Sequence, residues 1–144
     1  LSAATTKGRT VSERNAKVIE EFRANAGKVG GWFADKTVLI LHTTGARSGL
    51  ERLTPLVYRQ EDDRIFVFSS KGGSPSHPGW YHNLKANPAV AAEIGTRIAS
   101  ATAVEVIGEE RDAIYARQAA AVDVFAGYQA ATDRTIPVVE LIIE

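Results

Sequence analysis

The chain contains no cysteine and no methionine. The first absence excludes disulfides, thiolate metal sites and a cysteine nucleophile, and it fits a reducing compartment. Redox chemistry here has to use a borrowed cofactor. Methionine is missing even as the initiator, which predicts that Leu1 follows a trimmed or processed end. Net charge is missing as well: 17 Lys+Arg balance 17 Asp+Glu, so no overall field favours a polyanion such as nucleic acid. An anion must be held by a local cluster. No stretch approaches the roughly 18 apolar residues of a membrane helix, and the small, polar segment 1–10 lacks the apolar core of a signal peptide. The expectation is a cytoplasmic protein with no nucleic-acid partner and no membrane contact beyond the periphery.

What is present fits one domain over 1–144, with 1–11 expected to be loosely held: 144 residues, 44% of them hydrophobic, can bury a substantial core. Val18, Ile19, Phe22, Ala26 and Val29 recur at helical spacing after Ser12, the candidate N-cap. Trp32-Phe33 is expected to cover one end of the core. Segments 37–43, 53–59 and 64–69 read as strands, the last two joined at Glu61-Asp62-Asp63. A short helix over 80–86 stops before Asn87-Pro88. Segments 89–94 and 97–107 form a hairpin about Gly95-Thr96. A long helix runs from Gly108 to about Val124, and 136–143 closes the chain as a strand. Strands that mostly neighbour one another in sequence, with helices between, predict an antiparallel α+β fold.

Three segments concentrate chemistry. Thr43-Thr44-Gly45-Ala46-Arg47-Ser48-Gly49 combines flexible backbone, hydroxyls and a cation, with Arg52 just downstream; such loops hold phosphate or carboxylate, though an ordinary glycine turn is the plainer alternative. Ser69-Ser70-Lys71-Gly72-Gly73-Ser74 follows a strand and adds a mobile lysine, in an order that is not that of a P-loop. His77-Pro78-Gly79-Trp80-Tyr81-His82-Asn83-Leu84 sets aromatic rings beside it, either to stack a flat ligand or, more simply, to bury Trp80 and Leu84 with Tyr81 and His82 outward. The three histidines, His42, His77 and His82, have no clustered carboxylate partner in sequence, so a zinc site is not expected and solvated or satisfied imidazoles are. No serine sits in a G-x-S-x-G context.

Together with Tyr128-Gln129 and Thr132-Asp133-Arg134-Thr135-Ile136-Pro137-Val138, these blocks resemble the deazaflavin-dependent nitroreductase family of actinobacteria over about 37–139. The resemblance implies a split β-barrel, related to flavin reductases, that binds coenzyme F420 at its mouth. It assigns the cofactor to Arg47, Ser48, Gly49, Arg52, Thr54, Pro55, Ser70, Lys71, Gly73, Trp80 and Asn83. Ser70 and Tyr128 become the candidates for carbonyl polarisation or proton relay, and Phe125 and Tyr128 line the substrate side. Ala46 stands where the family often carries a second cation, which shifts anion binding toward Arg52 and Lys71. Val122 and Phe125 stand where tyrosines can occur, which favours flat conjugated acceptors (enones, quinones, coumarin-type lactones) over bulky nitroimidazoles. A deazaflavin carrier without turnover and an FMN-binding reductase stay open as alternatives, as does the oligomeric state.

Overall fold

The computed structural model describes residues 3–6 and 9–144, with side chains from Arg14 onward. Strands β1 (Ala3–Thr6) and β2 (Arg9–Ser12) form a hairpin whose second strand runs parallel to the start of β4, Thr10 opposite Arg52. The expected looseness of 1–11 falls largely on residues and side chains outside the described set. Helix α1 (Glu13–Ala24) follows, and β3 (Val38–Thr44), β4 (Glu51–Glu61) and β5 (Arg64–Phe68) come next. Helix α2 (Gly79–Ala86) leads to β6 (Ala89–Ile94) and β7 (Arg97–Val106), then α3 (Gly108–Ala121), α4 (Val124–Ala130) and β8 (Val138–Ile143).

The sheet order β4-β3-β6-β7-β8-β5 closes on itself because β5 also pairs with β4, Tyr58 opposite Val67. The result is a six-stranded barrel, antiparallel throughout, and closure removes exposed edges from those strands.

Strand periodicity explains which strands are apolar on both faces. In β3, Leu39 and Leu41 point into the barrel while Val38 and Ile40 lie under Ile19 and Phe22 of α1. In β5, Ile65 and Val67 point inward while Phe66 and Phe68 lie under α3 and α4. On strand β7, Ala101 and Ala103 point inside, while on the opposite face Thr102 and Val104 are exposed and Val106 is buried in the cluster under α3 and α4. Trp80 and Leu84 of α2 join the interior cluster, so the plainer reading of that aromatic helix holds for these two side chains.

Several expectations are corrected. The first helix ends at Ala24, because Ala26 takes φ 55° and Val29 packs from the following loop. Its predicted cap, Ser12, immediately precedes α1, but its side chain lies outside the described residues. Phe33 packs against the α1 cluster, whereas Trp32 is 50% exposed, so only half of that pair covers core. The long helix breaks at Val122, whose backbone is extended (φ −135°, ψ 93°). Asp123 between two β-branched valines is a poor helix interior, and the bend brings Phe125 onto Phe68 at 5.4 Å. Tyr115 Oη donates to the Phe125 carbonyl there at 2.6 Å.

Candidate functional site

Strand β4 connects the two parts of the site. Its first residues emerge from the Thr43–Gly49 loop, and Arg52 and Thr54, two positions apart, share one strand face. In that loop the Asn83 side chain of α2 accepts from Ala46 N at 3.0 Å and donates to Thr43 Oγ1 at 3.4 Å. Ser48 Oγ accepts from Leu50 N at 3.2 Å and from an Arg52 Nη at 3.4 Å. A Cβ at Gly45 would lie 2.5 Å from Ser48 Oγ and 3.3 Å from Arg52 Nε, so the guanidinium folds closely over glycine backbone. Arg52 Nε is buried without a partner, and Arg47 is exposed with no ion pair among the described residues. Asn83 therefore supports the loop.

Beyond the loop lies a groove of about 710 Å³ lined by Arg14, Val18, Trp32, Thr54, Pro55 and Tyr128 among others. An adjoining recess of about 260 Å³ adds Ser70, Lys71, Trp80 and Phe125 and shares Pro55, Gly72 and Tyr128 with it. The 70–74 loop enters this recess as a 3₁₀ turn, Lys71–Gly73, whose three residues all have positive φ, 45°, 62° and 82°. Lys71 is exposed, with its ammonium 3.3 Å from Ser76 Oγ. Gly73 rests on α4: a Cβ there would meet Tyr128 O at 2.9 Å and Ala131 Cβ at 3.0 Å. Tyr128 is half-buried beside Phe125, ring centroids 5.3 Å apart, and its desolvation pushes the phenol above its ordinary pKa, with Lys36 opposing.

Thr54, Pro55, Ser70, Lys71, Trp80, Phe125 and Tyr128 thus converge on one groove. Ser48, Arg52 and Asn83 form the adjoining loop cluster, Arg47 and Gly49 are exposed on that loop, and Gly73 anchors the second loop from behind. Val122 does not join them. It lines a separate cleft of about 320 Å³ with Tyr58 and Gln118.

Sequence reasoning missed the wall contributed by α1. Arg14, Val18 and Glu21 stand at helical i, i+4, i+7 spacing and all line the groove, a pattern visible once a helix face is sought that mixes apolar and charged residues. His42 is buried and satisfied, one of the two states expected of the histidines, and its partners are carboxylates. Its ring nitrogens face Glu51 at 3.0 Å and Glu93 at 2.6 Å, and Arg23 of α1 makes two bonds to Glu93. Burial pushes Glu93 up, but the bonds from Arg23 and His42 outweigh it and hold the carboxyl below its ordinary value. These two carboxylates come from β4 and β6, distant in sequence from His42 or from each other, so nothing in the local sequence announces the cluster. No group of three or more histidine and carboxylate side chains placed for a metal ion occurs among the described residues.

A closed antiparallel barrel with basic glycine loops beside an aromatic groove places the fold in the split-barrel class. Residues 14–142 match the model of the F420H2-dependent quinone reductase family, and the chain belongs to that family. The F420H2-dependent quinone reductase of Mycobacterium tuberculosis (strain ATCC 25618 / H37Rv) is 44% identical over 108 residues, 72% of this chain and 71% of the relative. Among solved structures, an F420-H2 dependent reductase (FDR-A) superposes with a TM-score of 0.66 at 41% identity, covering 72% of this chain and 92% of that one. A protein described as a domain-swapped dimer superposes at 0.68 with 36% identity, covering 89% and 94%. The predicted family and barrel are thereby established.

The loops fit an anionic deazaflavin cofactor on their own chemistry. Arg52 offers a buried, unpartnered Nε, Arg47 and Lys71 offer exposed cations, and a Cβ at Gly49 or Gly72 would meet nothing within 4 Å, which leaves open space over the backbone.

Proposed function

We propose that this chain is an F420H2-dependent reductase of quinones and of conjugated carbon-carbon double bonds in enones or unsaturated lactones. The observation that supports it most strongly is the convergence of Thr54, Pro55, Ser70, Lys71 and Tyr128 on adjoining recesses, with Arg52 two positions before Thr54 on the same strand. Arg47, Ser48, Gly49, Arg52, Lys71 and Gly73 would hold the phosphate and acidic tail, and Thr54, Pro55, Trp80 and Asn83 would border the cofactor chain or ring. When bound, the reduced deazaflavin supplies a hydride for the electron-poor carbon of the acceptor. Orientation, water exclusion and the proton fall to this chain's residues.

Tyr128, Ser70 and Thr54 bring side-chain hydroxyls to the groove, and Tyr128 and Ser70 are the candidates for the proton or the carbonyl. Because burial raises the Tyr128 pKa, its proton is in place at neutral pH and available to polarise a carbonyl or to be relayed. Phe125, only 3% exposed, packs behind Tyr128 and gives this wall an apolar character suited to a flat acceptor. Val122 lends no weight to that preference, since it faces another cleft. The test is anaerobic oxidation of reduced F420, followed by absorbance, with naphthoquinone and enone acceptors and with FMN replacing F420 as control. Turnover with F420 and not with FMN is expected. Tight F420 binding without turnover on any acceptor would favour a carrier, and preference for FMN would favour a flavin reductase.

A further inference from the structure

The Arg134 block near the C-terminus takes no part in lining the groove, yet its guanidinium is one of the most fully engaged groups in the protein. Nε donates to Ser74 O at 2.9 Å, one Nη donates to Ser70 O at 2.9 Å, and the other lies 3.1 Å from His77 Nδ1. The arginine is itself held from behind. Gln129 Nε2 donates to Arg134 O at 2.8 Å, while Gln129 Oε1 accepts from Ile136 N at 3.1 Å and from Arg111 at 2.7 Å.

Ser70 and Ser74 are the two ends of the loop that carries Lys71, Gly72 and Gly73. A lysine at φ 45° is in a region that disfavours side chains, so this turn needs outside constraint to stay in one shape. Internal constraint is slight: Gly73 N donates to Ser70 O at 2.9 Å and Ser74 N to Lys71 O at 3.1 Å. The imidazole of His77 must present Nδ1 unprotonated to receive an arginine N–H. Burial, then the charges of Arg134 and His82, lower its pKa in keeping with that role.

We propose that Arg134 is a positioning residue for cofactor binding, one that clamps both ends of the 70–74 loop and so presents Lys71 and the glycine backbone to the groove in a single conformation. With its N–H groups directed at Ser70 O, Ser74 O and His77, Arg134 acts through the loop and is not itself a ligand of the anionic tail. The proposal rests on the reading that this loop holds the cofactor.

The test compares Arg134→Leu, Arg134→Lys, Lys71→Ala and a control, Arg64→Gln, which removes an ion-pair group on β5 bonded to Glu140 and Glu110. Two quantities are read: F420 affinity by fluorescence titration, and amide hydrogen exchange of Gly73 and Ser74 in the cofactor-free protein. Arg134→Leu should weaken F420 binding tenfold or more. Arg134→Lys, which cannot reach both carbonyls at once, should restore only part of that loss. Exchange at Gly73 and Ser74 should accelerate at least tenfold in both Arg134 variants, while amides of β3 remain unchanged, and Arg64→Gln should alter neither quantity. If Arg134→Leu does not fold, the exchange and affinity of Arg134→Lys decide alone, with at least threefold weaker binding expected. Normal exchange and affinity in Arg134→Lys or Arg134→Leu, with binding lost in Lys71→Ala, overturn the clamp and leave the cofactor reading intact. Normal affinity in Lys71→Ala overturns the cofactor reading itself.

Discussion

Gly72 and Gly73 are adjacent, both have positive φ (62° and 82°), and they differ in one respect: a Cβ on Gly72 meets nothing within 4 Å, whereas one on Gly73 meets the backbone of Tyr128 at 2.9 Å. Alanine at either position incurs the left-handed backbone cost of about 1–2 kcal/mol. At Gly73 it also forces a contact with helix backbone that cannot rotate away, an overpacking cost of about 1–3 kcal/mol. Gly72→Ala should therefore destabilise by about 1–2 kcal/mol and Gly73→Ala by about 2–5 kcal/mol. At about 3 °C per kcal/mol for a chain of this size, the expected falls in Tm are roughly 3–6 °C and 6–15 °C. Differential scanning calorimetry of the two variants without cofactor measures the difference directly. Gly73→Ala should also displace Tyr128 or the lysine loop, so F420 affinity and quinone turnover should drop together, whereas Gly72→Ala should retain turnover at saturating cofactor. Equal Tm shifts for the two variants would refute the packing of this loop against α4.

Lys71→Ala or Arg52→Ala should weaken F420 binding by about 1–3 kcal/mol, the range for a lost hydrogen bond to a charged group, and raised salt should mimic part of the change; unaltered titrations would reject the placement of the anionic tail. Ser70→Ala and Tyr128→Phe should lower turnover with little change in F420 affinity; wild-type rates in both, measured on a good enone, would make solvent the proton source. His42→Leu removes a buried partner of Glu93 and should cost about 3–5 kcal/mol, read from denaturant midpoints, with a loss below about 1 kcal/mol contradicting the network. Hydrogen bonds from Arg117 and Arg59 hold Glu61 at about 2, below its ordinary 4.5. A carboxyl lowered in the folded state stabilises above its unfolded pKa and loses that contribution as pH falls toward the folded one. Urea midpoints should fall more steeply between about pH 5 and pH 3 in the parent than in Glu61→Gln, and identical slopes would refute the assignment.

The strands and turns were legible because their causes are local. Alternation in 97–107, the Gly95-Thr96 turn and the Asn87-Pro88 stop each depend on a few adjacent residues, and each lies where expected. Barrel closure was not local: the β5–β8 and β3–β6 pairings join segments far apart in sequence, and only the family resemblance pointed to them. The bend at Val122 was hidden by an alanine run with helical spacing on both sides, since the gain from seating Phe125 on Phe68 is tertiary. At the groove, Ser70 and Lys71 stand in a motif block and Thr54, Pro55 and Tyr128 were reached through the resemblance, but Arg14 and Trp32 come from α1 and the loop after it, where motif and spacing say little. Asn83 and Gly73, assigned to the cofactor by the resemblance, also make structural contacts that no motif announces, Asn83 with the first loop and Gly73 against α4.

The proposed reaction is hydride delivery from F420H2 to a conjugated carbon held at Tyr128 and Ser70. It is tested most directly by mass spectrometry and NMR of the product formed anaerobically from a planar enone, using reduced F420 that carries deuterium at its transferable position. One deuterium at the β-carbon of the saturated ketone is the predicted result, with an α-hydrogen that carries the solvent isotope, as one relayed through an exchangeable hydroxyl does. Unreduced enone, or product with its β-carbon hydrogen derived from solvent, would contradict that reaction.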